Sequence, residues 1–190
     1  MNNFIRAGAL LLAGLTSAFG ATLTVLPDTN SLFTGQTLTV EIQADAPDLF
    51  SYMLDVQYPL FLALQSVTAQ GTFGAWGIGI AYDASVPGTL TLVNDALILP
   101  GFTGPETLFT IEFEAIAEGT GEIRIDPLSV VLVGLDTNFD VIDIPLDSVS
   151  AASVVVTAQQ SPVDVPEVSS GWMALLGVAL CLMGRQARRG

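Results

Sequence analysis

The chain has 190 residues, 51% of them hydrophobic, and sets 19 acidic residues against five arginines with no lysine and no histidine, for a net charge of −14. Such a surface repels phosphate backbones and excludes nucleic acid as a partner. The single cysteine is Cys181, so residues 21–158 can form no disulfide, and with no His, Cys or Lys among them they exclude Ser-His-Asp, Cys-His and Schiff-base chemistry.

The chain opens with MNNFIRAGALLLAGLTSAFGATL, in which Arg6 precedes an apolar stretch and then the small residues Ala18 and Gly20. This pattern predicts a secretory signal peptide over residues 1–20, with the mature chain beginning at Ala21. Residues 21–158 are the right length for one domain. From Ala21 to Asp164, Arg124 stands alone among 18 acidic residues, so the exported part carries a charge near −17.

Within that domain the hydrophobic period is two. Leu38, Val40 and Ile42 alternate with Thr39, Glu41 and Gln43, as do Tyr52, Leu54, Val56 and Tyr58 with Met53, Asp55 and Gln57. Leu90 and Leu92 alternate with threonines, Phe109, Ile111 and Phe113 with Thr110, Glu112 and Glu114, and Ile123 with Ile125 continues the pattern. Turn residues fall between these runs at Pro47, Pro87-Gly88, Pro100-Gly101, Gly104-Pro105, Gly119 and Gly121, and no run carries a 3.6-residue apolar stripe. The expected fold is all-β: about nine or ten short antiparallel strands in a β-sandwich. Glu112 and Glu114 are neighbours on a polar strand face, which alternation explains without a glycosidase pair.

Two segments carry candidate binding residues. GTFGAWGIGIAY holds Phe73, Trp76 and Tyr82, rings against which a sugar could stack if they are exposed; their expected place is the sandwich core. DTNFDVID holds Asp136, Asn138, Asp140 and Asp143, oxygen donors that are candidate calcium ligands. The EF-hand pattern fails there, with Val141 where glycine is required and Asp147 where glutamate is, so the expected role is a polar hairpin tip and no cofactor is required.

The runs FSYMLDVQYPLFLALQSVTAQGTF and PGTLTLVNDALILPGFTGPETLFTIEFEAIAEGTGEIRIDPLSVVLVGLDTNFDVIDI resemble the early and late parts of a cohesin domain in strand order and turn placement. The resemblance covers most of residues 22–157. It implies a nine-stranded jelly-roll sandwich that binds a protein or glycan partner through one sheet face; that the chain is not an enzyme is expected separately, from the missing His, Cys and Lys of residues 21–158. Pro59 stands where the family commonly has aspartate and the distal hairpin is more acidic, so the fold carries over and a dockerin partner does not.

The chain closes with VPEVSSGWMALLGVALCLMGRQARRG. Residues 171–184 form an uncharged run of 14, which Val168 to Ser170 and a snorkelling Arg185 extend toward the ~20 residues of a bilayer span. Trp172 suits a membrane interface, and Arg185, Arg188 and Arg189 would hold the end on the cytoplasmic side. The order of parts resembles the PEP-CTERM substrates of exosortases, with Val165, Pro166 and Glu167 as the signature and Val168 in place of the usual second proline. The expected organisation is therefore signal peptide 1–20, cohesin-like sandwich 21–158, linker with sorting signature 159–167, and transmembrane helix with an Arg-rich tail 168–190. Expected partners are an exosortase-type enzyme, the membrane, and an extracellular polysaccharide or exported protein at the cell surface.

Overall fold

A computed structural model describes residues 20–98, 101–136 and 138–159. Its elements are β1 (Ala21–Pro27), β2 (Ser31–Phe33), β3 (Thr37–Gln57), β4 (Leu62–Ala69), α1 (Gly71–Trp76), β5 (Ala81–Asp83), β6 (Thr89–Ala96), β7 (Phe102–Ala115), β8 (Gly119–Ile125), β9 (Val131–Leu135), β10 (Val141–Asp143), β11 (Leu146–Val149) and β12 (Ala151–Thr157). The sandwich expected from the alternating pattern is present. Three of its strands, β2, β5 and β10, are only three residues long, too short for alternation to announce them.

The two layers are joined by one long strand. β3 pairs through its first half with β1 and β7, and through its second half with β6, β9 and β8. The first layer runs β11-β1-β3-β7-β4, and the second runs β5-β6-β3 and continues through β8 to β12 and β2, with β9 and β10 beside it. Pro47 was expected to end a strand. Instead the chain bulges there and continues, because Asp48 takes a left-handed conformation at φ 44° and its backbone N–H is received by Thr103 Oγ1 at 3.0 Å. Gly101 lets β7 approach this kink: a Cβ there would lie 2.3 Å from the Asp48 carbonyl oxygen.

The core lies between the layers. Leu38, Val40 and Ile42 from the first half of β3, Tyr52, Leu54 and Val56 from its second, and Phe109, Ile111 and Phe113 from β7 are all buried. Aromatic contacts tie the layers together, with Tyr52 stacked on Phe109 at 5.7 Å between centroids and Tyr58 tilted against Phe113 at 4.8 Å.

Alternation fails at one position in β6. Leu92 was expected to follow Leu90 into the core, but it is exposed at φ 53°, where Thr91 and Leu92 together oppose Asp55 and the Leu92 N–H donates to Asp55 Oδ1 at 2.8 Å. The extra residue shifts the phase, so Leu90, Val93, Asp95 and Leu97 point inward.

Candidate binding face

The consequence of that bulge is a carboxylate in the core. Asp95 is 2% exposed; its Oδ1 accepts the Ala96 N–H at 2.7 Å and the Gly79 N–H at 3.1 Å, while Oδ2 has no partner. The Tyr52 hydroxyl is also buried without a partner, and burial first, then the Asp95 charge, pushes its ionisation well above the ordinary phenol value. Gly77 completes the enclosure: a Cβ there would meet Asp95 Oδ2 at 2.6 Å.

This carboxylate anchors the segment that follows β4. Helix α1 escapes a periodicity search because it is six residues long. Phe73 fixes it to the core, edge-on to Tyr52 at 4.9 Å and to Phe102 at 5.9 Å, while the Glu106 carboxylate accepts the Thr72 N–H and, at 2.9 Å, the Thr72 hydroxyl. Beyond the helix, Gly77 bridges Leu97, with Ile78 N–H to Ala96 O at 2.8 Å and Ile98 N–H to Trp76 O at 3.0 Å. Since Leu97 points inward, this short ladder presents Trp76, Ile78, Ala96 and Ile98 outward.

These residues extend the outer face of the second layer. Across that face Met53 lies between Asn94 and Val131, and Ser51 lies between Ala96 and Val133. Trp76, Ile78 and Ile98 are 55%, 72% and 70% exposed, and Leu92 and Val131 are exposed as well. The outer face of the first layer differs in kind. There Ser66 and Gln65 donate to Glu112 and Glu114 at 2.9 and 3.0 Å, and Gln43 donates to Glu41 and Thr107, so polar groups satisfy one another across the strands. One layer thus shows water a polar ladder, and the other an apolar patch with Ser51 and Asn94 inside it.

The candidate residues named from the sequence separate accordingly. Phe73 is in the core, whereas Trp76 and Tyr82 are exposed, the latter on edge strand β5. In the acidic hairpin, Asp136 Oδ1 accepts the backbone N–H groups of Asp140 and Asn138, both at 2.8 Å, and these bonds, that of Asp140 first, hold the carboxyl below its ordinary value. Asp140 and Asp143 lie nearby in sequence, yet no three His, Cys, Asp or Glu side chains among the described residues converge as a metal cage. Val165, Pro166 and Glu167, the arginines 185, 188 and 189, and the signal peptide lie outside the described residues. No described helix is long and apolar enough to cross a membrane.

No family model and no curated protein matches the chain. Solved structures do match. The seventh ScaB type I cohesin from Pseudobacteroides cellulosolvens is 17% identical, with 76% of this chain and 96% of that one covered at a TM-score of 0.58. The cohesin module of a family 33 glycoside hydrolase from Clostridium perfringens is 10% identical, with 74% and 98% covered at 0.59. The sixth cohesin of Acetivibrio cellulolyticus scaffoldin B, in complex with a dockerin, is 13% identical, with 73% and 100% covered at 0.55. At these identities the likeness is one of fold, and the fold is that of a cohesin.

Proposed function

We propose that the chain is an exported, membrane-anchored or exosortase-sorted surface protein whose sandwich is a non-catalytic module that binds a protein partner across the outer face of its second layer. The observation that carries this reading is the contrast between the layers: the exposed cluster of Trp76, Ile78, Leu92, Ile98 and Val131 on a domain charged near −16 marks a docking surface. The fold supports it, since one cohesin of similar structure is in complex with a dockerin. The exposed rings of Trp76 and Tyr82 support a second reading, in which the partner is an extracellular polysaccharide. A structural matrix protein without a specific ligand is the alternative to both.

The experiment is capture from the extracellular proteins and polysaccharides of the source cells with the full chain as bait. Met53→Arg with Val131→Arg places two charges at the centre of the face and should reduce capture at least about tenfold, because an unpaired interfacial charge costs several kcal/mol. Glu112→Ala, on the opposite layer, should capture as the parent does. Equal capture by all three proteins would remove the apolar face from the reading, and capture by none of them would leave only the structural alternative. For the export part of the reading, mass analysis of protein from the cell envelope should show a mature N-terminus at Ala21; retention of Met1 would remove the signal peptide from the proposal.

A further inference from the structure

Where the second layer's outer face meets the corner after β3, the surface sinks into an open depression of about 410 Å³. It is built around Arg124, the one basic side chain among the described residues. In an acidic domain such a cation would be expected to pair with a carboxylate. Instead its Nε and Nη2 both donate to one oxygen, Gln57 Oε1, at 2.9 and 2.6 Å. Register explains the pairing, because Gln57 on β3 stands directly beside Arg124 on β8, with Thr89 of β6 on its other side. A guanidinium carries five N–H donors in a fixed plane, so three remain for a ligand, and the Gln57 contact holds that plane in place. A second recess of about 220 Å³ adjoins the same guanidinium.

The remaining walls are of three kinds. Tyr58 and Pro59 supply an apolar surface, Thr89 supplies a hydroxyl, and Glu122 supplies an acceptor. An apolar wall beside a donor, an acceptor and a hydroxyl suits a hydroxylated ring rather than a hydrocarbon. The fixed cation adds a place for one carboxylate. The charge of the domain limits that to one, since a polyanion would be repelled by the acidic groups around it.

We propose that this depression binds a sugar ring bearing a single carboxylate, a uronic acid unit, with the carboxylate on Arg124 and the ring hydroxyls on Thr89 and Glu122. The site is separate from the apolar face and does not depend on the identity of any protein partner there.

Equilibrium dialysis of the full chain against methyl glucuronide, methyl glucoside and the monocarboxylate N-acetylalanine tests this. Methyl glucuronide should bind with a Kd of about 1 mM, the level expected for so small a ligand. Methyl glucoside should bind about tenfold more weakly, the loss expected from removing a charge-assisted contact. Arg124→Gln should bring the glucuronide down to the glucoside's level, and Thr89→Val should weaken both sugars, with melting temperatures confirming that each variant is folded. Should Arg124→Gln fail to fold, Arg124→Lys, which keeps the charge but not the planar fork, should still lose part of the preference. Equal binding of glucuronide and glucoside, binding of neither, or N-acetylalanine bound as tightly as the glucuronide would each overturn the proposal.

Discussion

Phe109→Ala should destabilise the sandwich by about 3–5 kcal/mol, a large fraction of the ~5–15 kcal/mol that holds an ordinary domain folded. The ring is fully buried on β7 in the first layer and stacks on Tyr52 of the second, so its removal opens a cavity at the junction of the two layers. Residues 21–158 contain no cysteine, and without disulfides the fold depends on its packing alone. Glu112→Ala is the matched control on the outer face of the same strand. It removes an exposed hydrogen bond to Ser66 and should cost no more than about 0.5 kcal/mol. Urea unfolding of the two variants checks the pair. A midpoint for Phe109→Ala within error of that for Glu112→Ala would show that the layers do not share one core.

The sandwich was legible because burial on one side of a strand writes a period of two into the sequence. Leu38 to Ile42, Tyr52 to Val56 and Phe109 to Phe113 all face inward as alternation requires. What alternation could not show is where the backbone departs from it. Pro47 reads as a turn, yet neighbouring strands continue past it, and pairing with β7 on one side and β9 on the other carries β3 through the kink. At Leu92 a single inserted residue reverses the inward side, and no local composition marks it, since the Asp55 carboxylate that receives its N–H lies 37 residues away.

The same limit applies to the sites. Trp76 was visible as an aromatic among glycines, but its exposure depends on Phe73 being the ring that turns inward and on the Gly77–Leu97 bridge. The Arg124 depression was not visible at all. Its walls come from three strands, and its guanidinium meets an amide 67 positions away in sequence. A lone arginine in an acidic domain was the one available sign.

The buried pair of Tyr52 and Asp95 should give the protein a particular alkaline response. Burial and the nearby carboxylate raise the Tyr52 ionisation above that of a phenol in the unfolded chain, which lies near pH 10. Below that pH both states hold the proton and the hydroxyl adds no slope. Above it the unfolded chain releases the proton while the folded chain keeps it. Stability should therefore fall as pH rises past about 10, by up to about 1.4 kcal/mol per unit. Tyr52→Phe keeps the ring contacts with Phe73 and Phe109 and removes the ionisation, so its stability should decline less between pH 9 and pH 11. At pH 7 it should be no less stable than the parent, because the lost hydroxyl is buried without a hydrogen bond. Asp95→Ala behaves differently: it strands the Gly79 and Ala96 N–H groups and should cost about 1–3 kcal/mol at neutral pH. It should also loosen the segment that carries Trp76 and Ile78, so capture by the apolar face should fall with it. Parallel alkaline profiles for Tyr52→Phe and the parent would mean that the phenol is solvated in the native state, and unchanged capture by Asp95→Ala would mean that the enclosed carboxylate does not hold the binding face in place.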